Sequence, residues 1–113
     1  MILVNNLSDE RIKEDFDYNI KGLETVKKLK PLKFSWKDGK NHSKSVSGRA
    51  RQYGFIAQDT MKADEYLAWH REDKDEWGIE EYESFAAVLT KAIQEQQTII
   101  DDLKARIETL ENS

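Results

Sequence analysis

The chain has 113 residues and a formal net charge of -4 at pH 7, with 38% hydrophobic and 35% charged residues. This balance predicts one soluble domain with a modest core and an elongated or oligomeric shape. The small net charge argues against an electrostatic field of the whole domain that would attract nucleic acid or an anionic membrane. The absence of cysteine excludes disulfides and thiolate metal sites, and no apolar stretch reaches the roughly 20 residues of a membrane span or forms an export signal.

Two short helices are predicted at the start of the chain. Ser8 or Asp9 is suited to cap a helix that runs to about Asp17, because either side chain accepts from the free amides of a first turn. Asp9 and Lys13 form an opposite-charge pair at i,i+4 on that helix. A second helix is predicted over residues 20–29 and is stopped by Pro31.

The middle of the chain predicts strands. Residues alternate between apolar and polar from Leu32 to Trp36, which is the period of a half-buried strand, and the apolar run 54–57 is predicted to pair with it. A helical turn is predicted over residues 59–65. Two more short strands are predicted at about residues 66–70 and 76–80, which completes a small antiparallel sheet.

A long loop is predicted from Asp38 to Gln52, because this stretch is polar, basic and without a helical or strand period. It offers cations for phosphates, but no aromatic stacking partner precedes Tyr53, so contact with solvent or with a protein partner is favoured. We expect the loop to grip the segment upstream of the domain, since it is too long for a hairpin turn and too polar for a core.

From about Glu81 the sequence predicts one helix to the end of the chain, ending in a coiled coil of about three heptads. Its seam consists of Leu89, Ile93, Gln96, Ile100, Leu103, Ile107 and Leu110. Ile at a with Leu at d favours a coiled coil of two helices, whereas Ile99 at g and the polar Gln96 suit a larger number of helices. We favour three helices. The predicted fold class is therefore α+β, with short N-terminal helices, a small antiparallel sheet and a long C-terminal helix.

No metal site is predicted. The stretch that starts at Asp73 has acids and a glycine at positions typical of a calcium loop, but Trp77 stands where an oxygen ligand is needed and Ser84 stands where a bidentate Glu is needed. His42 and His70 lie far apart and have no partner at ligand spacing.

Ser8 and Lys13 have two possible roles. Ser8 can cap the helix while Lys13 pairs with Asp9, or Ser8 can act as a nucleophile whose proton is taken by the neutral amine of Lys13. Five helical residues turn about 500°, so the two side chains cannot meet on one regular helix face. The second role therefore requires Ser8 to lie outside the helix or to face Lys13 of a neighbouring chain.

Four motifs in order carry a family resemblance: SDERIK, LKPLKFSWKDGK, YGFIAQD, and a long helix with LTKAIQEQQ and a heptad tail. Together, from Leu7 to about Leu110, they closely resemble the intramolecular chaperone auto-processing domain at the C-terminus of phage tail fibres and tailspikes, with a siphophage tail fibre as the expected parent.

The resemblance implies a self-cleaving serine endopeptidase that acts once on its own chain. Its scissile bond is Leu7–Ser8, with Ser8 as nucleophile, Lys13 as general base, and Asp9 and Arg11 shaping the site. No cofactor, metal, nucleic acid, membrane or small-molecule substrate is implied.

The resemblance also implies a division of the chain. Residues 1–7 are the remnant of the upstream fibre, residues 8–80 the α+β chaperone head, and residues 81–113 the long helix and coiled coil. The implied assembly is a homotrimer that helps the upstream tail-fibre stem of the same polypeptide to fold in the cytoplasm of the bacterial host, and it is released from the mature fibre after cleavage. The alternatives are a non-enzymatic trimerisation clamp in which Ser8 only caps a helix, and a nucleic-acid-binding loop on a coiled-coil dimer, which the acidic net charge disfavours.

Overall fold

The computed structural model describes residues 7–37 and 51–113. Its helices are α1 (Leu23–Lys28), α2 (Ala57–Ala63) and α3 (Tyr82–Glu111), with short 3₁₀ helices at Glu10–Ile12 and Glu65–Leu67. Its strands are β1 (Leu32–Phe34), β2 (Gln52–Gly54), β3 (Ala68–Arg71) and β4 (Glu76–Ile79). The α+β class predicted from the sequence is confirmed.

The four strands form two separate antiparallel pairs rather than one sheet. β1 pairs with β2, which confirms a pairing across the long connection, and β3 pairs with β4. The predicted partner strand at residues 54–57 is wrong in its bounds, because β2 is Gln52–Gly54 and Ala57 already begins α2. In the second pair Trp69 lies opposite Gly78, and its indole covers the space that a β-carbon at residue 78 would fill. Most of the predicted loop from Asp38 to Gln52 lies outside the described residues, and Gln52 itself belongs to β2.

The predicted first helix is wrong. Only Glu10–Ile12 is helical, as one 3₁₀ turn, and the chain is extended at Lys13 and left-handed at Asp15, where φ is 55°. Every residue from 7 to 21 is exposed, so a helix here would bury no apolar face, and isolated short helices are marginal in water. The second helix is shorter than predicted, because α1 spans Leu23–Lys28 and not residues 20–29.

The core forms where α1, α2 and the first half of α3 meet. Its most buried residues are Thr25, Thr60, Leu67, Ala68, Val88 and Ala92. Gly22 lies directly against the backbone of α3 at Lys91 and Ala92, where a β-carbon would collide. The backbone N–H of Leu23 donates to Oε1 of Glu95 at 3.0 Å, so a side chain of α3 satisfies a free amide at the start of α1. Helix α1 is thus fixed to α3 by a close backbone approach and a cap.

Helix α3 continues far past the core. The radius of gyration is 19.3 Å, against about 13 Å for a compact domain of about 100 residues. The apolar positions of the predicted seam are 46% to 74% exposed in the single chain. Within the described residues, the length and hydropathy needed to cross a membrane are not combined in any helix.

Candidate active site

Ser8 and Lys13 meet in the structure. Lys13 Nζ donates to Ser8 Oγ at 2.5 Å within one chain. An amine within hydrogen-bond reach of a hydroxyl is the geometric requirement for a serine nucleophile with a lysine base. The sequence left open whether the two side chains face each other within a chain or between chains, and the structure joins them within one chain.

The contact follows from the early end of the helical turn. The N–H groups of Ile12 and Lys13 donate to the carbonyls of Asp9 and Glu10 at 3.1 and 3.3 Å, which closes the 3₁₀ turn. Lys13 then leaves the turn with φ −119° and ψ 155°, so it is not part of a regular helix. The geometric obstacle of a continuous helix is therefore absent, and the side chain of Lys13 returns to Ser8.

Asp9 and Arg11 form the second contact of the site. The Asp9 carboxylate accepts from the backbone N–H of Arg11 at 2.8 Å and from its guanidinium at 2.7 to 3.1 Å. The Arg11 side-chain hydrogen bond, followed by its backbone hydrogen bond, lowers the pKa of Asp9, and Asp9 in turn raises the pKa of Arg11. The predicted pairing of Asp9 with Lys13 is wrong, because Arg11 holds the carboxylate, and Asp9 rather than Ser8 caps the turn.

The site lies on an open surface. Residues 7–21 are exposed throughout, and Leu7, Ile12 and Phe16 expose 71%, 63% and 57% of their surface. Three large apolar side chains that lie near Ser8 and Lys13 in sequence are thus exposed. The contact between Ser8 and Lys13 is present in the single chain, and both residues lie on its surface.

The other predicted candidates stay separate from this site. His70 lies on β3, where its ring stacks on Trp77 with centroids 4.0 Å apart and its Nε2 is 2.9 Å from Asp75 Oδ1. His42 lies outside the described residues. Among residues 7–37 and 51–113, no cluster of three or more His, Asp or Glu side chains is placed to hold a metal ion.

Two contacts of the structure were not predicted from the sequence. The Asp9–Arg11 pair spans two residues, whereas the helical prediction searched for pairs four residues apart, and SD-x-R is the only local signal for it. The Glu95 cap of α1 joins residues 72 positions apart, and no sequence period predicts such a contact.

A family model described as chaperone of endosialidase, a peptidase family, matches residues 8–68, more than half of the 113 residues. The chain belongs to this family. The match begins at Ser8 and covers the dyad and the head of this chaperone domain as far as β3, and it confirms the resemblance to the intramolecular chaperone domain of phage tail fibres. No curated protein and no solved structure matches the chaperone domain.

Proposed function

We propose that this chaperone domain trimerises, assists the folding of an upstream tail-fibre stem, and then releases itself by cutting the Leu7–Ser8 bond through Ser8 and Lys13. The observation that carries the proposal is the 2.5 Å contact between Lys13 Nζ and Ser8 Oγ. Membership of a peptidase family described as a chaperone supports both halves of the proposal. The host cytoplasm during phage assembly is the proposed location.

The cleavage proceeds in two balanced steps. The neutral amine of Lys13 takes the hydroxyl proton while Ser8 Oγ bonds to the carbonyl carbon of Leu7, and the carbon–nitrogen bond then breaks as Lys13 gives that proton to the departing nitrogen of Ser8. The product is an ester between Leu7 and the Ser8 side chain. Water hydrolyses this ester, which leaves a carboxylate on Leu7 and restores the Ser8 hydroxyl.

Assembly is the proposed switch for this chemistry. Lys13 acts as a base only after it loses its proton, and burial away from water favours the neutral amine. The apolar groups Leu7, Ile12 and Phe16 are close to the dyad in sequence and are exposed in the single chain. When the folded stem or a neighbouring chain covers them, the amine loses its water, so cutting follows correct assembly rather than preceding it.

The long helix supports the trimeric state. Its seam, defined above from Leu89 to Leu110, stays largely exposed in one chain, and burying each Leu or Ile contributes about 1.5 to 3 kcal/mol. Joining three chains at one end raises the effective concentration of the stem segments, whose β-contacts are non-local and slow to form. Loss of the domain then makes the fibre kinetically hard to unfold, because the route back requires the released chaperone.

The clamp without catalysis is the second candidate. It shares the coiled coil and the head with the first candidate, but it gave Ser8 the role of a helix cap, and in the structure Asp9 caps the turn. The clamp therefore leaves the contact between Ser8 and Lys13 without a purpose. Cleavage alone separates the two candidates.

The test is intact-mass analysis of the domain joined to its natural upstream segment. We expect a product that begins at Ser8 in the parent and none in Ser8→Ala. Lys13→Ala should slow cutting by at least about 100-fold, the usual contribution of a general base, while Lys21→Ala, which removes another exposed lysine, should cut normally. If all four chains form folded trimers and stay whole, the clamp is the correct function; if Lys13→Ala cuts at the parent rate while Ser8→Ala stays whole, another group is the base.

A further inference from the structure

Residues 9–13 carry two acids, Asp9 and Glu10, and two cations, Arg11 and Lys13. Among the described residues Asp9 forms an ion pair with Arg11, whereas Glu10 forms none. On a continuous helix Asp9 would lie next to Lys13. In the structure its carboxylate instead bonds to the backbone and guanidinium of Arg11, and the side-chain amine of Lys13 donates to the neutral Ser8 hydroxyl.

The preference of Asp9 for Arg11 has a geometric reason. A guanidinium offers two parallel N–H groups to a carboxylate, whereas an ammonium acts as a point charge. Arg11 Nε lies 3.1 Å from both oxygens of Asp9, Nη2 lies 2.7 Å from Oδ2, and its backbone N–H reaches Oδ1. The lowered pKa of Asp9 and the raised pKa of Arg11 agree with this strong pairing.

No other acid replaces Asp9 beside Lys13. Glu10, Glu14, Asp15 and Asp17 are the other acids of residues 7–21, and within residues 7–37 and 51–113 none of them forms an ion pair with Lys13. Residues 7–21 are all exposed, and in the described part of the chain no acid of another element pairs with Lys13 either. Asp9 is the acid of this segment that a cation other than Lys13 already holds.

We infer that Arg11 is a positioning residue that acts through Asp9: it holds the Asp9 carboxylate away from Lys13 and so keeps the amine free to accept the Ser8 proton. Without Arg11, Asp9 is released to pair with Lys13. An adjacent carboxylate stabilises an ammonium ion, so the base then loses its proton only at higher pH. Arg11 therefore sets the pH at which the dyad becomes active.

The inference rests on the proposed self-cleavage, and its first test is the pH dependence of that reaction in the domain joined to its upstream segment. We expect Arg11→Ala to move the alkaline rise of the cleavage rate upward by up to about one pH unit. Asp9→Asn keeps an oxygen that caps the turn but has no charge. Adding Arg11→Ala to Asp9→Asn should therefore move the profile much less than Arg11→Ala does alone.

A purely structural Arg11 gives a different result. In that case Arg11→Ala lowers the rate by the same factor at every pH, and Asp9→Asn does not remove the effect. Arg11→Lys separates charge from geometry: we expect an intermediate shift, because a lysine still attracts Asp9 but does not hold both oxygens. A flat reduction, or an equal shift with and without Asp9, overturns the inference.

A second readout does not depend on cleavage. The ¹³Cε resonance of Lys13, identified by its loss in Lys13→Arg, is followed through a pH titration of chains that all carry Ser8→Ala. We expect its midpoint to rise with Arg11→Ala and to return with Asp9→Asn. If the midpoint moves this way in chains whose parent never cuts, the proposed function fails and the inference stands; if the parent cuts and the midpoint does not move, the inference alone is wrong.

Discussion

The N-terminal segment (residues 7–21) is held together in a different way from the packed part of the chain from Gly22 to Glu95, which we call the packed head. The segment has no buried residue, and its contacts join side chains two to five positions apart. The head is held by contacts between distant residues, such as Leu23 with Glu95 and Thr25 with Asp64, the latter at 3.2 Å. The boundary between the two regimes falls at a single residue, because Lys21 is exposed and Gly22 is buried.

Because of this difference, the residues that stabilise the fold are not the residues of the candidate site. Among residues 7–37 and 51–113, the hydrogen bond between Ser8 and Lys13 involves no residue of the head, so we expect changes to this pair to leave the fold intact. Conversely, the head fixes where the segment ends, at Lys21, and the contacts of Ser8, Asp9, Arg11 and Lys13 stay within the segment. A site of this kind is well suited to a partner-dependent reaction, because covering the segment changes its environment without rearranging a core.

A substitution at Gly22 is expected to have the largest effect on the stability of the packed head. We expect Gly22→Ala to lower the free energy of unfolding by about 1 to 3 kcal/mol, the usual cost of overpacking, because the new methyl group meets the α3 backbone at Lys91 and Ala92. The φ of Gly22 is −101°, so the cause is space and not backbone strain. Urea unfolding measures the effect.

The neighbouring position provides the control for Gly22. Lys21→Ala removes only an exposed ion pair with Glu24 at 3.8 Å, and we expect less than about 0.5 kcal/mol. Equal stability of Gly22→Ala and Lys21→Ala would mean that the close approach of α1 and α3 does not hold the head together.

The same boundary explains how much was predictable from the sequence. The alternation from Leu32 to Trp36 and the heptads after residue 89 predicted β1 and α3, because periodicity reports burial on one face. The α+β class followed from these elements. The division into two strand pairs did not, because nothing in the sequence shows which strands fail to meet.

The residue types of the candidate site came from the sequence, whereas its geometry did not. SDERIK named Ser8 and Lys13 through the family resemblance, while helix rules predicted a continuous helix and a pair between Asp9 and Lys13. Those rules assume that an apolar face is buried, and here Ile12 and Phe16 stay exposed. A continuous helix therefore lacks the packing that would stabilise it, and the helical turn ends at Ile12.

A substitution at Glu95 tests the contact between α1 and α3 with a smaller expected loss of stability. Glu95→Ala removes the acceptor for the Leu23 N–H, and we expect a loss of about 1 kcal/mol, similar to that of a deleted helix cap. Glu95→Gln keeps an acceptor oxygen in a side chain of the same length, so it should retain most of the stability. Urea unfolding of both variants separates the hydrogen bond from the charge, and a loss that is as large in Glu95→Gln would point to the charge instead.

The smallest expected effect is the response of the segment to acid. Arg11 lowers the pKa of Asp9 in the folded chain, so the pairing stabilises the turn above the unfolded value of about 3.9 and is lost as the pH falls through the folded one. The amide shift of Arg11, whose N–H donates to Asp9 at 2.8 Å, reports this step by NMR. We expect its midpoint to lie below the unfolded value of Asp9. In Arg11→Ala the amide of residue 11 is still present, and its midpoint should rise toward the unfolded value because the guanidinium is gone; an unchanged midpoint would show that the pair does not form in solution.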